Sequence, residues 1–350
     1  MDRNSALAVV GTYGPSDDEG VHTVAVDTET GAIDHRDGVV AGPDPTFVAV
    51  HPDGTHVFAA VREREGRIRS FAVDHDTGEL TGVGDAPSGA VSPCHCSVEA
   101  TGRYLLVAHY AGGAVSMLPL GADGEIGDPV AVVEHEGSGP NPERQTAPHP
   151  HSITPGPENR FAYVPDLGTD EVVVYEMDLD GGGLDRRDAV AVAPGAGPRH
   201  LAFGPSGEHV YLINELDSTV VAFDRDDDGS LSELSTVSTL PETFDGDNKT
   251  AEVAVHPTGE FVYGSNRGHD TIAVFRVEGD RLVPQGHVPT GGEWPRHFLL
   301  DRRGRFLFAE NRYTDDIVAF SVDPDTGDLT PVGESVSVAE PVCMQWVPRP

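Results

Sequence analysis

Basic residues are scarce: 23 Lys and Arg stand against 58 Asp and Glu, a formal net charge of −35. Nucleic acids and anionic membranes are held through Lys and Arg, so a surface of this balance repels both. The acids are scattered and not collected in one block, as expected of a hydrated carboxylate shell in a salt-rich cytoplasm, and we expect a halophilic protein. Cysteine is nearly absent, at 3 residues. Cys94, Cys96 and Cys343 cannot make a disulfide framework, and an odd count suits a reducing interior. Met1 to Gly11 lacks a charged start followed by a long apolar run, so neither a signal peptide nor a membrane span is expected, and the location expected is cytoplasmic. Neither a Gly-x-Ser-x-Gly elbow nor a Gly-Lys-Ser/Thr phosphate loop occurs, which removes serine hydrolases and NTPases of those types. Only 2 Trp are present, and no Trp-Asp repeat signature of scaffold propellers is found.

Glycine and proline, by contrast, are abundant at 41 and 28 and spread along the chain, as many short strands joined by tight turns require. One phrase recurs: a Pro, an alternating strand, a Gly turn, a second strand, a polar tip, a third strand, an acid-Gly turn. Its clearest copy runs from Pro45 to Val50, turns at Gly54, continues from His56 to Val61 and from Arg67 to Val73, and ends at Asp74–Gly78. Further copies begin at Pro93, Pro150, Pro198, Thr250 and Pro295. Starts are separated by roughly 45 to 57 residues, the size of a four-stranded propeller blade. Pro341–Val347 is a lone first strand, and Ala6–Thr12 with Gly20–Val26 supply the strands it lacks. Six internal copies and one blade assembled from both termini predict an all-β, seven-bladed propeller, a single domain over residues 1–350, with no open edge where the ring closes. Strand alternation has period two, and no helix is suggested. The polar insertion from Glu134 to Pro148 reads as a loop at one mouth of the channel.

Equivalent positions of a propeller lie at one depth, so the repeats can be read vertically. The residue after each start gives Thr46, Cys94, His151, Arg199, Ala251, Arg296 and Val342; the next gives Phe47, His95, Ser152, His200, Glu252, His297 and Cys343. Strand alternation predicts that only one of the two sets faces the channel on each blade. A further polar column stands at the tip of the second strand: Arg62, His109, Asp166, Glu215, Asn266 and Asn311, with Tyr110, Arg267 and Arg312 among its neighbours. Arg suits bidentate binding of carboxylate or phosphate, and His exchanges a proton near neutrality, so the channel is expected to handle an anion. Glu215 among arginines stays ionised, as an orienter of His or as a second base.

Other patterns are weaker. Cys94-His95-Cys96 has the wrong spacing for a metal site and no second Cys pair, and Asp224–Gly229 imitates a calcium loop with Ser235 where a bidentate Glu is needed. Both are read as structural, and no metal or cofactor is expected. An inward cluster of carboxylates and Asn of the kind that holds a cation in a channel is met only in part by Asp166, Asn266 and Asn311.

Several stretches carry a resemblance: Val10-Gly11-Thr12-Tyr13, Gly102–Ala108, His135–Gln145, Pro148–Ser152, Gly195–His200, Asn214-Glu215-Leu216 and Ser265-Asn266-Arg267. On these the whole chain resembles the seven-bladed lactonase family, which includes 6-phosphogluconolactonases and 3-carboxy-cis,cis-muconate lactonizing enzymes. The resemblance implies metal-independent hydrolysis of a sugar lactone, 6-phosphoglucono-1,5-lactone first. It places the family's channel His on His151, its two Arg on Arg199 and Arg267, and its Glu on Glu215. His151, Arg199 and Glu215 are the catalytic set expected; Arg267, Arg296, His95, Asp166, Asn266 and Arg144 are the substrate-binding set. The partner expected is a small anionic sugar lactone, for a monomer or dimer. Two other readings stay open: a cycloisomerase closing a lactone on a carboxylated muconate, and a non-catalytic ligand-binding or scaffold propeller.

Overall fold

In the computed structural model, which describes residues 4–349, the strands assemble into seven sheets arranged as blades. Six sheets have four strands; in the blade that starts at Pro295 the outer strand is split into Leu329–Pro331 and Val336–Ser337, both paired with Asp316–Val322. Closure is as expected. Pro341–Trp346 pairs antiparallel with Ser5–Thr12, in the register Ala8 with Trp346 and Gly11 with Cys343, so the two ends of the chain share one blade.

Period-two alternation is what builds the ring. Along Tyr104–His109, Leu105 and Val107 pack toward Phe58, Val61 and Phe71 of the preceding blade. Leu106 and Ala108, on the other face, pack toward Val164, Val173 and Tyr175 of the following one. Each central strand thus divides its side chains between two inter-blade cores, and each fully buried Val, Leu or Phe contributes roughly 1.5–3 kcal/mol. Turns join the blades as well. The backbone of Gly102 turns at φ +74°, and the His51 ring of the neighbouring blade reaches its carbonyl oxygen at 3.1 Å; His256 does the same to Gly304 at 2.9 Å. Gly102 combines a positive φ with a ring lying where a Cβ would stand, which fits only glycine.

The inner strands hold the feature that positions the site. In six of them the pairing shifts by one residue directly after the first position: Pro45 pairs with Val61 but Phe47 with Ala60, and Pro198 pairs with Asn214 but His200 with Ile213. In the blade that starts at Pro150, pairing resumes only at Thr154 opposite Tyr163, again with one residue extra. The extra residue is a β-bulge, which bends a strand and re-aims a side chain. It overturns the expectation that only one of two consecutive columns could line the channel.

Candidate functional site

Glu215 is the centre of the upper channel. It follows the strand His209–Asn214 and is 4% exposed. Arg144 donates to its Oε1 at 2.6 Å, and Arg267 donates to its Oε2 at 2.8 Å. Arg199 brings Nε to 3.3 Å of Oε2 without hydrogen-bond alignment. His151 Nε2 stands 3.9 Å from the same oxygen, too far for a hydrogen bond. The carboxylate therefore orients arginines, and the expected Glu–His pair is not formed.

The electrostatics follow from burial and from this crowding. Burial works against the charge of Glu215, yet Arg267, Arg199 and Arg144 hold its carboxyl far below the ordinary range, so it is an anion and not a proton carrier. Burial, with Arg267 and Arg296 nearby, lowers Arg199 to about 9, which still leaves it charged at neutral pH. His151 is pushed well below 6.5 by burial and then by Arg199, His200 and Arg296. Its ring is accordingly neutral, and its buried Nδ1 has no hydrogen-bond partner among the described residues. Three guanidiniums against one carboxylate leave an excess of positive charge around a neutral imidazole, a setting that attracts an anion and stabilises a developing oxyanion.

Arg144 arrives on the insertion predicted as a mouth loop. His135 Nδ1 binds Asp166 at 2.6 Å and its Nε2 meets the Tyr175 hydroxyl at 2.9 Å. Gln145 donates to the Leu167 carbonyl and to Asp170. With both ends so held, Arg144 also donates to the Tyr110 hydroxyl at 3.1 Å, and Tyr110 stacks on His149 at 4.4 Å.

The second column forms a lower layer. A cavity of about 310 Å³ is lined by Phe47, His95, Ser152, His200, Glu252 and His297. His200 Nδ1 binds Glu252 at 2.8 Å, His297 bridges Glu252 and Glu310 at 3.4 and 3.1 Å, and the His95 and His200 rings meet at 5.3 Å. The two layers touch where the His151 and His200 rings stand 5.4 Å apart. A larger depression, about 570 Å³, lies outside the channel by Leu7, His75, Arg302 and Trp346 and contains none of these groups.

Placement of the expected residues is mixed. The structure gathers His151, Arg199, Glu215, Arg267 and Arg144. Arg296 stands at the same mouth, its guanidinium 5.2 Å from the Tyr13 ring. His95 belongs to the lower layer, away from Glu215. Asp166 is not brought to the cluster, since its carboxylate binds His135 and the backbone N–H groups of His149 and Gly168. Asn266 is spent likewise, on Thr239, Asn248 and Thr271. Both are fully buried at strand ends, where they tie loops down.

The reason is a slip of one position in the tip column. The pairing aligns His109, Asp166, Asn214, Asn266 and Asn311, each opposite the residue at which its repeat begins. The following residues, Arg62, Tyr110, Leu167, Glu215, Arg267, Arg312 and Tyr13, form the true mouth column. Counting would have found most of them: Arg62, Tyr110, Glu215, Arg267 and Arg312 each lie eight residues after the turn glycine Gly54, Gly102, Gly207, Gly259 or Gly304. Arg62 and Glu215 already stand in the column read from sequence, Tyr110, Arg267 and Arg312 stand only beside it, and Tyr13 is the mouth residue that it leaves out.

Comparison with known proteins agrees with this architecture. Residues 7–346 match the family described as lactonase, 7-bladed β-propeller. A 6-phosphogluconolactonase of Bacillus subtilis is 35% identical over 345 residues, covering 97% of this chain and 98% of that one. A 6-phosphogluconolactonase of Serratia proteamaculans is 34% identical, covering 88% and 91%. Among solved structures, a periplasmic gluconolactonase of Pseudomonas aeruginosa superposes with a TM-score of 0.92 at 29% identity, covering 99% of this chain and 100% of the other. With a repeat, a closure and a channel of this kind, the chain belongs to the seven-bladed β-propeller lactonase family.

Proposed function

We propose that this protein is a lactonase that opens 6-phosphoglucono-1,5-lactone to 6-phosphogluconate in the upper channel. The observation that carries the reading is the Glu215 cluster, in which three arginines surround one carboxylate beside a buried neutral histidine. His151 acts as the base: uncharged, it takes a proton from water as the water oxygen attacks the lactone carbonyl. Arg199 and Arg267 stabilise the oxyanion of the tetrahedral intermediate, and Glu215 fixes both guanidiniums before substrate arrives. His151 then returns the proton to the departing ring oxygen. Each bond made and broken is accounted for by water, lactone and one side chain, and the scheme uses no metal.

The relatives named 6-phosphogluconolactonase support the choice of lactone. The test is turnover of freshly made 6-phosphoglucono-1,5-lactone by the wild type, His151→Asn and Arg199→Gln, with and without chelator. Removing one oxyanion donor typically costs 10²–10³ in kcat, so we expect a loss of at least about a hundredfold in either variant, and no effect of chelator. Full activity in both variants removes the site. Turnover of 3-carboxymuconate in place of the lactone reassigns the reaction to a cycloisomerase.

We also propose a salt-rich cytoplasm as the working environment. The net charge of −35 and the three buried, unpaired cysteines support it. Among the described residues no helix is long and apolar enough to cross a membrane. A melting temperature that is no lower in dilute buffer than in molar KCl would count against the salt requirement.

A further inference from the structure

Beside the Glu215 cluster lies a second group of cations that the mechanism above does not use. Three guanidiniums surround the ring of Tyr13: Arg312 at 4.6 Å, Arg296 at 5.2 Å and Arg62 at 5.6 Å from its centre. Tyr13 follows the Ser5–Thr12 strand of the composite blade, while Arg62 and Arg312 follow the equivalent strands of the two blades that flank it. Arg296 is the bulge residue of one of these flanking blades. The π face attracts each cation, but three like charges in one bay repel one another unless something negative is added.

Fixed carboxylates answer that repulsion only in part. Arg312 is paired with Glu340 at 2.7 and 2.9 Å. Arg62 reaches Asp44 only at 4.0 Å, with both side chains about two-fifths exposed. Arg296 makes no ion pair with any described carboxylate. The guanidiniums of the Glu215 cluster, in contrast, are committed: Arg267 donates to Glu215 and to the carbonyls of Lys249 and Thr250, and Arg199 donates to the carbonyl of Ala251. The Glu215 cluster is thus fixed at the reacting end, while Arg62 and Arg296 of the Tyr13 bay are the cations without a close fixed partner among the described residues.

The bay adjoins the reacting end. Arg296 bears electrostatically on His151, Arg199 and Arg267, and Tyr13 bears on Arg267. Arg267 lies 5.4 Å over the ring of Trp294, two residues before Arg296. Arg296, which acts on His151 and lies against the Tyr13 ring, links the reacting end to the bay, so an anionic group on a ligand bound at His151 is drawn toward Tyr13. Guanidiniums in fork geometry are the preferred partners of phosphate oxygens.

We propose that Arg62, Arg296 and Arg312, held around Tyr13, form a phosphoryl subsite that selects phosphorylated over neutral sugar lactones. The inference rests on the lactonase reading and adds to it the part of the mouth that sets substrate class. Its test compares wild type, Arg62→Gln and Arg296→Gln with two substrates, 6-phosphoglucono-1,5-lactone and glucono-1,5-lactone. The expected result is that each variant lowers the ratio of the two kcat/KM values at least tenfold, chiefly through KM for the phosphorylated substrate. An unchanged ratio overturns the subsite. Calorimetry with 6-phosphogluconate and gluconate separates this inference from the activity: wild type should bind the phosphorylated acid more tightly, and the variants should lose that preference. If neither lactone is turned over but this selective binding is seen, the lactonase reading fails and the subsite stands. Equal binding of the two acids by wild type overturns the subsite whatever the activity. Arg62 is on the surface, so an unchanged melting temperature for Arg62→Gln shows that any loss is not unfolding.

Discussion

Arg144 and Glu215 are 71 residues apart in sequence and 2.6 Å apart in space. This contact fastens the mouth loop to the channel wall, because Arg144 lies on the segment otherwise anchored at His135 and Gln145. Burial opposes the charge of Arg144, but Glu215 and Tyr110 hold its guanidinium above the ordinary range. Hydrogen bonds to charged groups are worth about 1.5–3 kcal/mol. Arg144→Gln should therefore lower kcat/KM by roughly ten- to a hundredfold and speed proteolytic cleavage within residues 136–144. Steady-state kinetics and limited proteolysis read the two effects; wild-type values in both would show that the contact holds nothing in place.

Glu215 should matter for folding as well as for catalysis. Its side chain is buried among Arg144, Arg199 and Arg267, and deleting one member of a buried ionic network leaves its partners uncompensated. Breaking such a pair typically costs about 3–5 kcal/mol. Glu215→Gln, nearly the same in shape, should lower the unfolding free energy by an amount in that range, read as a fall in the urea midpoint at an unchanged m value. A variant as stable as wild type would mean that the arginines are satisfied without the carboxylate.

Much of this was legible before any coordinates. The repeat fixed the number of blades, and the lone Pro341–Trp346 strand could pair only with the N-terminal one. Vertical reading found His151, Arg199 and Arg296 because large polar residues stood at one offset beside apolar neighbours. The bulge was not legible: nothing in Pro198-Arg199-His200 shows that both Arg199 and His200 turn inward, one to Glu215 and the other to Glu252. Under strict alternation, without that extra residue, the lower histidine layer stays hidden. Asp166 and Asn266 misled for a different reason. A buried polar residue must be hydrogen-bonded, and sequence does not say whether its partner is a ligand or, as here, a neighbouring loop.

The buried histidines predict acid sensitivity. Burial lowers His109 to about 4, and burial with Arg199 lowers His200 to about 4, from 6.5. Burial likewise drives His95 and His151 well below 6.5. Between these values and 6.5 the unfolded chain binds protons that the folded chain refuses, so stability falls as pH is lowered through that window. His297 works the other way: burial opposes its charge, but Glu310 and Glu252 raise it, so its contribution is present below 6.5 and lost at higher pH. Four lowered histidines outweigh one raised. Urea midpoints should decline from pH 7 to pH 5, a range in which most surface carboxylates keep their charge; a flat profile would contradict the neutral state assigned to these rings.

Thiol chemistry gives an independent check on how closely the inner strands pack. Cys94, Cys96 and Cys343 are all buried and unpaired. Cys94 Sγ lies 3.3 Å from the carbonyl oxygen of His151, and burial pushes its thiol up to about 12. Burial also raises Cys96 and Cys343 further from reactivity. The thiolate is the reacting form, so none of the three should react in the native protein at pH 8. A disulfide reagent such as 5,5′-dithiobis(2-nitrobenzoate) should release colour only as the ring unfolds, with three equivalents appearing at the rate of the fluorescence change. A fast native phase of one equivalent would place a cysteine on an accessible wall, and with it open the contact between Cys94 and the strand that carries His151.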